Sequence, residues 1–453
     1  MADSTRAHDK VVRQQEVRTA AAEIIASGKE EYGGFLGNRW IQLVAGVVTI
    51  ACVADFQYSW TLFSTLFVQD LGVSLALVQM AFTIFLVLES SCQFIGGMMI
   101  DRFGPRSIFI LAAVLFGLGW GLLGKITSLA GLYICAAMAG FAVAIVYGGT
   151  LSIATRWFPD RRGLANGFIT AGYGMGALLF MPALNSFISS GAYRIALITT
   201  GSVQGILILV MAFVLRYPPA YTKMMRERND ARRRGEKIEI VLTEKDFTTS
   251  EALRTPQFWA IWVTFLSICV GGLIISAQTR PFGQSIGISA GVISIAVACQ
   301  LCGNGIGRPF WGWVSDRLGR FKVLGLVFAA NAVLLFLVPY VGKTPTGYVV
   351  ITTLVMFTWG ELYSLFPSLN ADLFGTAYAP TTYGLLYACR VVSAVLSGGF
   401  AAWVGTTFGW NAVFAIASAF SLFSAVMVPV IAHMPAPRHR VRRVLSGSEE
   451  AKE

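Results

Sequence analysis

The sequence repeatedly carries apolar runs of about 20 residues or more, the length at which an α-helix crosses a hydrocarbon layer of about 30 Å. Ile41 to Phe67 and Ala412 to Ala432 are two such runs. Only 13% of the 453 residues are charged and 55% are hydrophobic, whereas a chain that folds in water carries about a quarter charged residues. A chain of this kind cannot cover itself with polar surface, so the runs are membrane spans and not core helices. In lipid every backbone N–H and C=O needs a partner within its own segment, which makes the spans helical. The expected class is an all-α polytopic membrane protein.

Hydropathy places the spans near 41-66, 77-100, 107-125, 130-154, 163-188, 195-215, 256-278, 290-313, 321-341, 347-368, 381-405 and 410-433. The chain therefore divides into a tail (1-40), a six-helix bundle (41-215), a basic linker (216-255), a second six-helix bundle (256-433) and a closing tail (434-453). The formal charge of +11 reports topology and not a nucleic-acid partner. Lys and Arg gather in both tails, in the linker, and in the loops after the second, fourth and eighth spans. The other connections hold little more than Lys125, Arg194, Arg280 and Lys343. The positive-inside rule then puts both termini and the linker in the cytoplasm, with an even number of spans. The linker, with Arg226, Arg228, Arg232, Arg233, Arg234 and Lys237, reads as a solvated segment suited to contact with anionic membrane lipid.

All seven cysteines fall inside apolar spans, so they offer no disulfide framework. Cys299 and Cys302 form a C-x-x-C that lacks a second ligand pair or a nearby histidine, and it reads as helix packing. The first forty residues lack the short apolar core of a signal peptide, so the first span is expected to direct insertion. No motif calls for a metal or a cofactor, and no constellation of nucleophile, base and electrophile suggests an enzyme.

An internal repeat supports the division into halves. Gly97-Met-Met-Ile-Asp101-Arg102-Phe-Gly104-Pro-Arg106 recurs as Gly312-Trp-Val-Ser-Asp316-Arg317-Leu-Gly319-Arg320, each copy between the second and third spans of its half. The first Gly permits close helix approach, the Asp can accept backbone amides at a helix end, and the Arg residues can meet phosphates or carboxylates. This duplicated signature resembles that of the major facilitator superfamily. The resemblance implies twelve transmembrane helices in two pseudo-symmetric halves that rock about a substrate site near the midplane. The motif would serve conformational gating and says nothing of the substrate. A monomer in a bacterial inner membrane is the expected setting.

Ionisable residues away from span ends locate the site, because each costs several kcal/mol (about 2.5 to 3.5 on the lowest scales) in lipid. Five stand out: Asp55, Glu89, Arg308, Glu361 and Arg390. At helical rise Arg308 lies about 12 Å and Arg390 about 14 Å inside the membrane, so the two cations share a level. Gln300, Asn304 and Arg308 form one polar stripe; Tyr383, Tyr387, Arg390, Ser393 and Ser397 form another. Each Arg could pair with a membrane carboxylate and merely tie helices together, yet a packed apolar pair would do this without the desolvation cost. Two guanidinium forks at one depth are better suited to holding a carboxylate. An anionic substrate follows.

A narrower resemblance rests on longer motifs. They are Phe56-Gln57-Tyr58-Ser59-Trp60, Ile145-Val-Tyr147-Gly, Arg156-Trp-Phe-Pro-Asp-Arg-Arg-Gly-Leu-Ala, Ala171-Gly-Tyr173-Gly, Arg254-Thr-Pro-Gln-Phe-Trp259, Arg308-Pro-Phe-Trp-Gly and Phe357-Thr-Trp359-Gly. Together they look like the oxalate:formate antiporter family, from about Gly33 to the last span. That resemblance implies cations on the eighth and eleventh helices as the anion clamp, here Arg308 and Arg390. It also implies an aromatic cage, for which Tyr58, Tyr147, Tyr173, Trp359, Tyr363 and Tyr387 are the candidates, with Gln57 beside them. The family's oxalate carriers have Lys where Arg390 stands and neutral residues where Asp55, Glu89 and Glu361 stand.

The implied function is exchange of small carboxylate anions by alternating access. The acids keep a second reading open, a proton-coupled symporter of formate, lactate or pyruvate with Asp55 and Glu89 as coupling residues. Glu361, about 200° round a continuous helix from Trp359 and Tyr363, is expected to face elsewhere. A transporter-like anion sensor is the remaining alternative from another class, and substrate counterflow would tell it from a carrier. His8, His433 and His439 lie in tails or at a span end, so no histidine relay is expected.

Overall fold

A computed structural model describes residues 35-219, 221-222 and 247-435. Most of the two tails, and the linker cluster from Arg226 to Lys237, lie outside the described residues.

Among the described residues twelve helical segments run back and forth along the molecule, and they fall where hydropathy placed them. Span 1 is Arg39–Ala51 continued as Asp55–Leu71, and span 2 is Leu75–Ser91 continued as Gln93–Phe103. Spans 3 to 6 are Pro105–Gly121, Leu129–Trp157, Arg162–Ser189 and Tyr193–Val214. Spans 7 to 9 are Pro256–Ser285, Ala290–Leu318 and Arg320–Val341, and span 10 is Pro345–Trp359 continued as Leu362–Phe374. Span 11 runs from Ala379 to Phe408 in pieces, Ala379–Tyr387, Cys389–Val395 and Ala401–Phe408, with a π turn at Leu396–Phe400; span 12 is Trp410–His433. Ten of these pass as membrane-crossing by length and hydropathy, and the two pieces of span 2, bent by 49°, make an eleventh.

Helix ends follow local chemistry. Ser128, Thr255, Ser289 and Thr344 each accept an amide three residues on, and Pro105, Pro256 and Pro345 occupy first-turn positions, where a missing N–H costs nothing. The outer faces carry exposed Leu179, Ile206, Leu326 and Val426, the apolar surface that lipid requires. Inside each bundle, polar side chains act across helices: Trp120 donates to Thr200 at 2.9 Å, and Asn331 donates to Val355 O and Thr358 while accepting from Ser421. Such bonds hold helices together where lipid supplies no hydrophobic drive.

The two halves meet chiefly along span 5 against span 8 and span 2 against span 11, with span 10 also against span 5 and span 11 against span 4. The duplicated signature makes both chief contacts. A Cβ added to Gly97 would stand 2.6 Å from the backbone of Pro380 and Thr381, and one on Gly312 would overlap Gly163. The later glycines of the signature, Gly104 and Gly319, turn the chain into the next span at φ of 80° and 94°, a region that side chains with a Cβ avoid.

Candidate functional site

The structure brings the two arginines to the interface between the halves and surrounds them with the aromatic residues expected there. Tyr58 meets Tyr173 (ring centroids 5.7 Å), Tyr173 meets Tyr147 (5.3 Å), and Tyr147 meets Tyr387 of the other half (5.3 Å). Tyr387 then meets Tyr363 (6.1 Å), and Tyr363 meets Trp359 (5.3 Å). The six residues thus form one unbroken path of ring contacts across both bundles. Gln57 joins it by accepting from the Tyr173 hydroxyl at 2.8 Å.

Tyr363 lies within reach of both cations, 4.8 Å from the Arg308 Cζ and 5.9 Å from the Arg390 Cζ. Such placements attract a guanidinium through the ring quadrupole. Arg308 is buried; it donates through Nε to Asn304 at 2.9 Å and through Nη1 to the Thr170 carbonyl of span 5. Gly174 makes room for it, since a Cβ there would press on the guanidinium at 3.2 Å. The stripe that includes Gln300 is divided in use: Asn304 serves Arg308, whereas Gln300 bonds Thr279 of span 7.

Arg390 is bound differently. Its Nη1 donates to both carboxylate oxygens of Glu89 at 2.9 Å and to the Tyr387 hydroxyl at 2.6 Å, while that hydroxyl also lies 3.2 Å from Glu89. Glu89 belongs to span 2 and Arg390 to span 11, so this ion pair joins the halves. Pairing with a membrane carboxylate therefore holds for Arg390, and Arg308 meets neutral oxygens instead.

Helix breaks explain why the acids sit where they do. Glu89 precedes the bend at Cys92, Asp55 opens the second piece of span 1, and Glu361 stands just before the second piece of span 10 without capping it through its side chain. Arg390 follows the break at Ala388. Interrupted helices at membrane depth are where transporter folds expose backbone and place charge. The break at Gly360 also voids the angular count that set Glu361 apart. Glu361 is buried beside the Arg308 helix, with both carboxylate oxygens unbonded among the described residues. Asp55 is held by Gln204 of span 6 at 2.5 Å, within the first bundle.

At the signature end the halves are bolted together. Asp316 accepts the amides of Gly163 and Leu164, as expected for an acid at a helix end, and pairs with Arg320. Asp101 instead pairs with Arg156 at 3.2 Å and accepts from Thr381. Arg156 reaches across to the Thr376 and Ala377 carbonyls and lies against the rings of Tyr217 and Tyr221. Asp372 takes both Arg162 (2.7 Å) and Arg320 (3.0 Å), and Asn166 donates to Ser368. Arg102, Arg106 and Arg317 lie over Phe103, Phe213 and Trp313. Arg156, Arg162, Asn166 and Asp372 were not singled out by spacing, because nothing in a linear motif says which loop faces which across the pseudo-twofold. Polar contacts between the halves run from this end up to the level of Glu89 and Arg308, so the molecule is shut on the signature side.

The family model for the Major Facilitator Superfamily matches residues 45–283 and 270–449. The oxalate:formate antiporter of Oxalobacter formigenes is 41% identical over 92% of this chain and 97% of its own length. The chain belongs to the Major Facilitator Superfamily, in the oxalate:formate antiporter family. More distant relatives of this facilitator include the apicoplast pyruvate carrier 1 of Toxoplasma gondii (25% identical, 77% of this chain and 74% of that one) and monocarboxylate transporter 13 of Bos taurus (25%, 88% and 90%). The solved proton:xylose symporter XylE superposes with a TM-score of 0.64 over 88% of this chain and 96% of its own, at 14% identity, a likeness of fold. This member of the superfamily is thus a multi-pass membrane transporter and not an enzyme.

Proposed function

We propose that the protein exchanges small carboxylate anions of the oxalate and formate type, held between Arg308 and Arg390 and walled by Tyr58, Tyr147, Tyr173, Trp359, Tyr363 and Tyr387. The observation that carries this reading is the pair of guanidinium groups sharing the Tyr363 ring at 4.8 and 5.9 Å, inside an aromatic path that spans both halves. The relative from Oxalobacter formigenes, named for oxalate and formate exchange and matched over nearly its whole length, supports the same substrate class.

The physics of exchange follows from the cations. Arg390 already has Glu89 as its counter-ion whereas Arg308 bonds neutral oxygens. A carboxylate that reaches the arginines therefore offsets a buried positive charge and allows the halves to close on it, and the empty site, left with that charge, resists closure. The signature-end bolts must then open, and Gly97 and Gly312 are the points where spans slide past one another. The signature end is read as cytoplasmic, the termini with it, and the carrier as a monomer of a bacterial inner membrane.

The test is counterflow of labelled oxalate, formate, lactate and pyruvate into loaded proteoliposomes, for the wild type, Arg308→Ala and Arg390→Ala. Exchange of at least one carboxylate that falls by about a hundredfold in both variants supports the reading, since each removes a charge-assisted contact to the anion. Transport indifferent to both replacements would sink the clamp.

A further inference from the structure

Resting on that reading of the site, we infer that Glu89 sets the charge of the transported anion: a monocarboxylate binds with Glu89 ionised, and a dicarboxylate binds only when Glu89 has taken up a proton. The geometry is that of an internal substrate. Glu89 presents both oxygens to Arg390 Nη1 at 2.9 Å and shares the Tyr387 hydroxyl, the set of donors a substrate carboxylate would need on that side. It is fully buried and comes from the half opposite to Arg390, so it closes the interface as a bound anion would.

Charge counting then decides the substrate. Arg308 and Arg390 supply two positive charges, and Glu89 bonded to Arg390 cancels one of them. Arg308 bonds the neutral oxygens of Asn304 and Thr170, which leaves one charge for an arriving anion to balance. A monocarboxylate satisfies it. A dicarboxylate brings one negative charge too many into a dry, low-dielectric site, where the excess is costly. One proton from water onto the Glu89 carboxylate restores the balance and frees Arg390 to receive the second carboxylate, so the dianion travels with a proton.

The groups that face Glu89 leave it as the titrating member. Arg390 and Tyr387 approach from span 11, Tyr147 from span 4 and Tyr173 from span 5, with Ser90 beside it on its own helix. Guanidinium and phenol groups ordinarily keep their protons from about pH 5 to 8. Glu361, the acid near Arg308, bonds neither arginine; both of its oxygens are buried with no donor among the described residues, where an ionised carboxylate is costly, so it enters the count as the neutral acid.

The experiment measures formate and oxalate counterflow at about pH 5.5 and about pH 8, equal on both sides of the membrane, a range over which both substrates stay ionised and guanidinium and phenol groups keep their protons. In the wild type, formate exchange is expected to vary less than about twofold and oxalate exchange to be at least about tenfold faster at the acid pH, one proton per dianion. Glu89→Gln is expected to abolish the pH dependence of oxalate and to raise the oxalate to formate rate ratio at pH 8 by about tenfold or more, because the permanent neutral amide mimics the protonated acid. Glu361→Gln should leave the ratio unchanged. Should Glu89→Gln fail to transport, the oxalate against formate binding preference is read instead, at both pH values, from the thermal shift each anion gives the purified variant and the wild type. An oxalate rate in the wild type that ignores pH, an unchanged ratio in Glu89→Gln, or a ratio moved by Glu361→Gln instead would each overturn the inference. Those results leave carboxylate exchange standing, whereas exchange indifferent to Arg308→Ala and Arg390→Ala removes the site itself.

Discussion

Asp316, from the second half, accepts the backbone N–H of Leu164 of the first half at 2.9 Å, and its other oxygen takes the Gly163 amide at 3.0 Å. The first amides of a helix have no intrahelical acceptor, so an acid from the opposite bundle completes span 5 and at the same time shuts the signature end. Asp316→Asn removes the charge and one of the two acceptor oxygens, which costs about 1.5 to 3 kcal/mol for a charge-assisted bond. The sealed arrangement should lose roughly tenfold or more of its population. Hydrogen exchange at the amides of residues 162-166 is expected to accelerate by that factor, and unchanged protection would show that the cap does not hold the gate.

Gly97 makes a separate demand on the same closed state. An added methyl would sit 2.6 Å from Pro380 C and Thr381 N, and backbone cannot yield as a side chain can. Overpacking of this kind costs about 1 to 3 kcal/mol. Gly97→Ala is expected to slow counterflow about tenfold, while Gly325→Ala, whose methyl would meet Val428 at an ordinary 3.7 Å, should transport normally. Equal rates in the two variants would remove the argument from close approach.

The fold was legible because its determinants are one-dimensional. Span length, loop charge and the duplicated signature act through composition and spacing, and all twelve segments appear where the apolar runs are. Arg308 and Arg390 stand out in the sequence for the same reason, as cations too deep for a span end. The partners were not legible. That Arg390 meets Glu89 while Arg308 meets Asn304 and Thr170 depends on breaks at Cys92, Ala388 and Gly360; hydropathy reads straight through such breaks, and each one turns the following residues to a new face. The linker cluster falls outside the described residues.

Tyr363 carries a hydroxyl that is buried with no hydrogen-bond partner among the described residues, although its ring meets both arginines. An unsatisfied buried hydroxyl costs about 1 to 3 kcal/mol. Tyr363→Phe should therefore raise the melting temperature of the substrate-free carrier while keeping the ring contacts. If the hydroxyl donates to the transported carboxylate, the same variant weakens substrate binding by about tenfold. Tyr363→Leu should lower both, because cation to ring attraction of about 0.5 to 2 kcal/mol disappears. Thermal shift with and without substrate separates the three outcomes, and a destabilised Tyr363→Phe would contradict them.

Asp55 and Gln204 offer a test of what a buried acid does outside the clamp. Gln204 Nε2 donates to Asp55 Oδ2 at 2.5 Å, both residues are buried, and Asp55 Oδ1 has no partner among the described residues. The bond ties span 1, at its break, to span 6. Gln204→Leu should destabilise the protein by about 1 to 3 kcal/mol, since it leaves a buried carboxyl with its bonded oxygen stripped of a donor. Removing both groups is a different matter, because no polar atom is then left unpaired. Asp55→Leu combined with Gln204→Leu is expected to recover most of the lost stability, and the double-mutant cycle reads the coupling directly. If the double variant is as unstable as the sum of the two single ones, Asp55 is held in place by contacts other than Gln204, and its position at the break in span 1 would need a different physical cause.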